Sequence, residues 1–349
     1  MKRILFIVED LYGGGAEKVL LNTASLLQGA GAHVIVYTLR DKVEHSIPEN
    51  ITPINLAIVN RLTKAVSNFF IEKMQAFLLH QKILKESPDV IISCSCDKIT
   101  RHLPRHLNIY YWIHGNVTGF ADNNDKSYAK FQRFYNDKNL ICVSQGISDD
   151  ILYNVKATPK SCQVIYNPFD VTKIQAMANE AIKLPFEKYF IHIGSFEERK
   201  RHDRLLQAYK LSGIDTPLIL MGKGPLRQKI ERMIEDLGLT KKVIIVDFQK
   251  NPYPYIKSSQ ALILTSDAEG LPTVLIEALI CHTQVISVDC PSGPSEILTG
   301  KLRKYLCPVN DIQMLATSIA SADQKSIDIY SDTYRTFSSE ETIRHFMKL

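Results

Sequence analysis

Residues 266–279 read Ser266-Asp267-Ala268-Glu269-Gly270-Leu271-Pro272-Thr273-Val274-Leu275-Ile276-Glu277-Ala278-Leu279, and they are the most informative part of the chain about its architecture. They lie between two apolar runs, Ala261–Leu264 and Gln284–Asp289. Apolar runs without polar alternation are typical of strands buried in a parallel sheet, and Pro272 is typical of the first turn of a helix. The stretch therefore predicts a strand, a helix and a second parallel strand, joined by a right-handed crossover.

The same alternation of short β-branched runs and helical patterns extends along most of the 349 residues. The other predicted strands are Ile4–Val8, His33–Leu39, Ile51–Ala57, Val90–Ser93, Ile109–Ile113, Leu140–Val143, Tyr189–Ile193, Pro217–Met221 and Val243–Asp247. The predicted helices include Ala16–Gln28, Arg201–Lys210 and Leu226–Leu237. This order predicts an α/β protein with parallel sheets, about six strands in the first half and five in the second.

Two groups of strands indicate two Rossmann-like doubly wound domains facing across a cleft, rather than one continuous sheet. We predict a first domain over residues 1–168, a second over 169–330, and a C-terminal helix within 331–349 that packs back on the first domain. The boundary is placed at Asn167-Pro168-Phe169-Asp170, followed by a polar helical stretch to about residue 186. Ligands of such sheets bind beyond the carboxyl ends of the strands, so functional residues are expected there.

Composition excludes several classes of protein. Apolar residues make up 45% and charged residues 23%, which argues against disorder, and no apolar run approaches the length of a membrane span. The apolar run after Lys2-Arg3 is too short for a signal peptide, and the seven scattered cysteines are typical of a reduced, cytoplasmic chain. The net charge of +5 shows no concentrated basic stripe, which argues against nucleic-acid binding but is compatible with an anionic membrane surface or substrate.

Several loops at predicted strand ends carry candidate binding residues. Gly13-Gly14-Gly15 precedes a predicted helix and would let the backbone approach an anion, although a tight turn without a ligand is an equal alternative. His114 directly follows the strand Ile109–Ile113, where it is either a ligand contact or an ordinary structural histidine. The run Arg199-Lys200-Arg201 at a predicted helix start opposes the helix dipole, which favours a facing phosphate over a self-paired, solvated surface.

Two carboxylates, Glu269 and Glu277, lie within the stretch 266–279. Glu277 lies inside an apolar run, and a buried carboxylate needs hydrogen-bond donors, either the hydroxyl groups of a ligand or a nearby Arg or Lys. Glu269 precedes the helix and can reach the same edge of the sheet. The backbone N–H groups near Gly270, Leu271 and Thr273 are suited to a pyrophosphate.

The spacing Glu269-x7-Glu277 resembles that of retaining GT-B glycosyltransferases, and the surrounding residues resemble glycosyltransferase family 4. The resemblance covers nearly the whole chain. It includes the Gly13–Glu17 loop, His114, Val143-Ser144, Asn167–Asp170, Gly194 with Lys200, Gly222-x-Gly224-Pro225 and Gly293–Leu298. It implies a GT-B fold and an enzyme that transfers a sugar, with retention, from a nucleotide sugar to a glycan or lipid-linked acceptor.

The resemblance also implies residue roles. Glu269, His114 and Lys200 would be catalytic, with Glu269 on the transferred sugar, His114 on the sugar or departing oxygen, and Lys200 on the diphosphate. Glu277 would hold the ribose hydroxyls. The other implied donor-binding residues are Gly14, Gly15, Gly194, Ser195, Arg199, Arg201, Phe248 (in the Val246–Gln249 base-binding segment), Gly270, Leu271 and Thr273.

One residue departs from the family pattern. The family commonly has arginine directly after the glycine at position 194, and this chain has Ser195. That removes one expected phosphate contact, and we hypothesise that Arg199 or Arg201 supplies the missing cation.

The implied chemistry is departure of a diphosphate from the anomeric carbon, either by front-face attack, which the family favours, or by double displacement. No Asp-x-Asp occurs and Lys200 can replace a cation, so no metal or other cofactor is expected. UDP is the predicted nucleotide, and bacterial surface-polysaccharide or lipopolysaccharide synthesis the predicted setting. The alternatives are a nucleotide-sugar epimerase and a non-catalytic nucleotide-sugar-binding partner subunit.

Residues 61–85 carry five Lys/Arg and one acid, with aromatic residues at helical spacing. An amphipathic helix packed on its own sheet explains the pattern. The alternative is a peripheral patch that draws the enzyme to anionic lipid on the inner face of the cytoplasmic membrane.

Overall fold

A computed structural model describes residues 1–12, 15–60, 63, 68–120, 125–183 and 186–349. These residues form two compact units. The first comprises Met1–Pro168 with Ser339–Leu349, and the second comprises Phe169–Ser338. In the described part of the chain, no helix is both long enough and apolar enough to cross a bilayer.

The first unit contains a seven-stranded parallel sheet, ordered β3-β2-β1-β4-β5-β6-β7. Its strands are β1 Arg3–Val8, β2 His33–Thr38, β3 Ile54–Asn55, β4 Val90–Cys94, β5 Ile109–Ile113, β6 Asn139–Cys142 and β7 Ser161–Val164. Its α-helices are α1 Gly15–Gly29, α2 Phe69–Glu86, α3 Asp97–Thr100, α4 Asp125–Tyr135 and α5 Gln145–Asp149, the last continuing into a π-helical turn, Asp150–Asn154.

The second unit contains a six-stranded parallel sheet, ordered β10-β9-β8-β11-β12-β13. Its strands are β8 Phe190–Ile193, β9 Leu218–Met221, β10 Val243–Val246, β11 Ala261–Leu264, β12 Gln284–Val288 and β13 Leu306–Cys307. Its α-helices are α6 Val171–Ala178, α7 His202–Ser212, α8 Arg227–Asp236, α9 Tyr253–Lys257, α10 Thr273–Ile280, α11 Pro294–Ile297 and α12 Ile312–Gln324. Each sheet is doubly wound, so the predicted pair of Rossmann-like domains is confirmed.

The elements that the sequence pattern missed or misjudged lie at sheet edges or helix ends. The strands β7 and β13 were not predicted, because β7 is polar and largely accessible at an edge and β13 has only two residues. The predicted strand Ile51–Ala57 shortens to the exposed edge strand β3. The helical stretch predicted to reach residue 186 ends at Ala178, where the side-chain amide of Asn179 donates to the Gln175 carbonyl.

The last helix, α13 Ser339–Phe346, belongs to the first unit. The Phe346 ring is fully buried and lies edge-on against Trp112 of β5, with 5.3 Å between ring centroids. Lys2 Nζ donates to the Met347 carbonyl at 2.9 Å. Residues 331–337 form two 3-10 turns and belong to the second unit, so the helix begins later than residue 331.

Candidate active site

A carboxylate and two cations meet at the carboxyl edge of the second sheet. Glu269 lies in the loop after β11 and is 8% exposed. Lys200 Nζ donates to Glu269 Oε1 at 2.6 Å, and Arg199 Nη1 donates to Oε2 at 3.2 Å. Burial alone would raise the pKa of Glu269, but the charge and hydrogen bond of Lys200, together with the charge of Arg199, contribute to lowering that pKa below its usual value. Glu269 is therefore an ionised carboxylate at neutral pH.

Lys200 is held by the loop that follows β8. The 3-10 turn Glu198–Lys200 contains it, and its aliphatic stem passes Gly194, where an added Cβ would lie 3.6 Å from the Lys200 Cδ and Cε atoms. Ser195, next in this loop, is half-buried.

Arg201 has a different environment from its two neighbours. Its guanidinium donates to both Asp203 and Asp267, and Arg204 donates to Asp267 and to the Thr265 carbonyl. The hydrogen bond from Arg201 lowers the pKa of Asp203. Two carboxylates therefore balance the charge of Arg201 and hold the start of α7, whereas Arg199 and Lys200 are directed to Glu269.

Glu277 lies on α10 and is half-buried rather than fully enclosed by the apolar run. Tyr253 Oη donates to its Oε1 at 3.3 Å. A tyrosine hydroxyl thus supplies a donor where the sequence suggested either an Arg or Lys or a ligand.

The loop that carries Leu271 and Pro272 is shaped by a close approach of Gly293. Gly293 has a φ of +102°, and a Cβ there would lie 2.3 Å from Pro272 Cδ and 3.2 Å from Leu271 Cα. Glycine is required at this position because any side chain would displace the loop. Gly293 therefore packs closely against Leu271 and Pro272, within the loop that carries the residues predicted to hold a pyrophosphate, Gly270, Leu271 and Thr273.

Phe248 follows β10 and is 63% exposed, with Lys223 Nζ 5.5 Å above its ring. An exposed ring is costly to leave in water but provides a surface for a planar ligand.

Two buried histidines next to this cluster were missed by sequence reasoning. His192 Nδ1 donates to the Ile263 carbonyl, and its Nε2 and both ring nitrogens of His202 have no partner among the described residues. Burial, together with the charge of Lys200, lowers the pKa of His202 to about 4. The sequence could have indicated His192 as a candidate, because it is the one polar residue in the otherwise apolar strand β8.

The first unit holds the other predicted site residues. The His114 ring lies against Trp112 with 4.4 Å between centroids, and its Nε2 is buried with no partner in the described residues. Gly15 begins α1, and a Cβ added at this residue would meet no described atom within 4 Å. Gly14, like Arg61 and Lys64 of the predicted lipid patch, lies outside the described residues.

Burial lowers the pKa of His114 to about 3, so the ring is neutral at physiological pH. Below about pH 6.5 the unfolded chain takes up a proton at this residue and the folded chain does not, so His114 lowers stability as the pH falls from 6.5 towards 3, by up to about 1.4 kcal/mol per pH unit. We expect a His114→Gln variant to lose less stability than the wild type between pH 7 and pH 4. Urea unfolding across this range tests it, and parallel losses in both proteins would contradict it.

Two family models match the chain. The model described as glycosyltransferase family 4 matches residues 13–173, and the model described as glycosyl transferases group 1 matches residues 177–331. Together they span nearly all of both units in the expected order. The chain belongs to the GT-B glycosyltransferases.

Known proteins similar to this glycosyltransferase include an enzyme from Campylobacter jejuni. It is N-acetylgalactosamine-N,N'-diacetylbacillosaminyl-diphospho-undecaprenol 4-alpha-N-acetylgalactosaminyltransferase, 26% identical over 85% of this chain and 83% of the relative. The apo lipopolysaccharide outer core galactosyltransferase WaaB has a TM-score of 0.78 at 21% identity, over 99% of this chain and 98% of that chain. A Staphylococcus aureus TarM variant in complex with fondaparinux, α-GlcNAc-glycerol and UDP has a TM-score of 0.77 at 15% identity, over 100% and 99%. The two structures share the fold of this glycosyltransferase.

Proposed function

We propose that this glycosyltransferase transfers a sugar from a UDP-sugar, with retention, to a lipid-linked or glycan acceptor during synthesis of a bacterial surface polysaccharide or lipopolysaccharide at the cytoplasmic face of the membrane. The observation that carries the proposal is the buried Lys200–Glu269 pair with Arg199 at the carboxyl edge of the second sheet. Two similar proteins support the acceptor class: the C. jejuni relative, whose name includes a diphospho-undecaprenol glycan, and WaaB, which is named a lipopolysaccharide outer core galactosyltransferase. The UDP in the TarM complex supports the nucleotide.

The leaving diphosphate gains negative charge as the bond to the anomeric carbon breaks. An ammonium group has three N–H donors, and in the described structure Lys200 uses one on Glu269, which leaves donors for phosphate oxygens. Fixed cations in a partly buried site stabilise such charge more strongly than water does. Lys200 therefore acts as the electrophilic group of the proposed reaction, and a divalent metal is not needed for that role.

The family's arginine at position 195 would contact the diphosphate, and this chain has Ser195 there. Of Arg199 and Arg201, Arg199 is better placed to supply a cation in its stead. Its guanidinium lies beside Glu269, whereas Arg201 is shared between Asp203 and Asp267. Moving Arg201 to a phosphate would leave Asp203 without its side-chain partner, although Asp267 would keep Arg204. The proposal therefore assigns diphosphate binding to Lys200 and Arg199, and the arrangement of α7 to Arg201.

Glu269 accepts hydrogen bonds from both cations and lies at the same edge as the Leu271–Thr273 backbone. In the proposed complex it orients a hydroxyl of the transferred sugar. We propose front-face attack by the acceptor, in which a phosphate oxygen takes the acceptor's proton. Proton NMR of the first product formed tests retention, since an anomeric coupling of opposite configuration to the donor would contradict it.

Glu277 provides the sharpest test of the nucleotide site. Hydrogen bonds from ribose hydroxyls to a carboxylate are worth about 1.5–3 kcal/mol, so a Glu277→Ala variant should bind UDP about 10- to 100-fold more weakly than the wild type. Titration calorimetry with UDP and GDP measures this, and the exposed Glu235→Ala in the same unit is the matched control. Tighter binding of GDP than of UDP would indicate a GDP-sugar as the donor. Binding of neither nucleotide would contradict the proposed function.

A further inference from the structure

Helix α2 presents a group of apolar side chains to solvent. Phe69, Phe70, Met74, Phe77 and Leu78 are exposed, with Phe70 80% and Phe77 61% exposed, and we name these five residues the apolar ridge. On the opposite side the helix buries Ala76, Leu79 and Ile83 together with the polar side chains of Glu72 and Gln75. A helix that only packs on its own sheet carries mainly polar side chains on its outer face. An exposed apolar surface of this kind marks an interaction site.

A basic pocket lies beside this helix in the same unit. It is a cavity of about 450 Å³, lined by the cations Lys98, Arg101, Lys130 and Arg133 with Glu72 and the ring of Phe134. Arg101 donates to Glu72 at 2.5 Å and lies over the Phe134 ring at 4.8 Å. Among the described residues, four cations against one carboxylate give the pocket a net positive charge, which favours an anionic ligand.

The apolar ridge approaches the basic pocket at Phe69. Glu72 belongs to α2 and lines the pocket, and the Phe69 ring lies 5.4 Å from the ring of His102, the residue after Arg101. Lys73 Nζ lies 4.4 Å over the Phe69 ring, which adds a further cation at the junction. Aromatic groups beside Lys and Arg are the combination found where proteins rest at the headgroup level of a bilayer.

We propose that the apolar ridge and the basic pocket together dock this glycosyltransferase on an anionic lipid bilayer, with the ridge inserted among the acyl chains and a lipid phosphate in the pocket. The choice of a bilayer rests on charge complementarity. A second copy using the same face would oppose its own four cations to four identical ones in a symmetric dimer, which disfavours self-association. The inference rests on the proposed function, in that a lipid-linked acceptor would lie at such a surface.

The test is sedimentation of the full chain with vesicles of phosphatidylglycerol and phosphatidylcholine, compared with phosphatidylcholine alone. Reversing two exposed pocket cations, Lys130→Glu with Arg133→Glu, should weaken binding to anionic vesicles by about 25-fold or more, since each cation near the surface contributes about fivefold. Phe70→Ser with Phe77→Ser should weaken binding to both kinds of vesicle by about tenfold or more. Matched controls in the other unit are Lys210→Glu with Lys241→Glu and the exposed Leu211→Ser, which should bind as the wild type does.

Unchanged binding in both double variants would overturn the proposal. So would size-exclusion chromatography showing a wild-type dimer that Phe70→Ser with Phe77→Ser converts to monomers, because the ridge would then be a self-association surface. UDP titration of the same variants separates this inference from the proposed function. The variants should bind UDP as the wild type does, and a wild type that binds vesicles but no nucleotide would contradict the proposed function alone.

Discussion

Replacing Lys200 with methionine is expected to lower kcat by about 100- to 1,000-fold, the effect of removing one group that stabilises charge developing in a transition state. The same change should lower the free energy of unfolding by about 3 kcal/mol, because the buried Glu269 carboxylate loses the ammonium 2.6 Å away. Arg199 remains close to Glu269 and still balances part of its charge. The loss of stability should therefore lie near the lower end of the range that is typical when one partner of a buried ion pair is removed. Initial rates with donor and acceptor, and urea unfolding, measure the two effects.

A second variant separates catalysis from stability. Combining Lys200→Met with Glu269→Gln removes the uncompensated charge, so most of the lost stability should return while the activity stays low. The exposed pair of Lys229 and Glu198 provides the control, and Lys229→Met should cost less than about 1 kcal/mol and leave kcat unchanged. A Lys200→Met enzyme with kcat within threefold of the wild type would exclude Lys200 from the reaction.

The Gly222→Ala variant is expected to lose more than about 3 kcal/mol of stability in the second unit. A Cβ at Gly222 would lie 1.9 Å from the Gly194 carbonyl oxygen and 3.2 Å from the Phe196 ring. The first of these is a backbone atom and cannot rotate away, so the loop after β8 must move. Because that loop carries Lys200, UDP affinity should fall together with stability.

Urea unfolding followed by circular dichroism tests this prediction. Gly238→Ala is the matched control in the same unit, since Gly238 has a φ of +69° and open space around an added Cβ. The Gly238→Ala change should lower the free energy of unfolding by only about 1 kcal/mol, because it adds only the strain of a left-handed backbone conformation. A Gly222→Ala protein as stable as Gly238→Ala would show that the close approach to Gly194 is not maintained in solution.

Much of the fold could be predicted because apolar runs report burial directly. The strands β5 and β11 were predicted with their bounds unchanged, since both are continuous apolar segments between polar loops. The edge strands β7 and β13 could not be predicted, because their residues lack the apolar run that indicates a central strand. These two strands are defined by their pairing with the preceding strands, β6 and β12, which a local pattern does not show.

For the candidate site, too, part of the arrangement could be predicted from the sequence and part could not. The order of residues along the chain was enough to predict that Glu269, Lys200 and Glu277 come after strands of one parallel sheet, because chain direction alone places strand ends on a common edge. The three-dimensional fold was needed to establish that Lys200 and Arg199 pair with Glu269 while Arg201 pairs with Asp267, although these three bases are adjacent in the chain. Each of these contacts joins residues more than sixty positions apart. Side-chain partners at that separation depend on backbone turns such as the left-handed conformation of Arg201, which a local pattern does not specify.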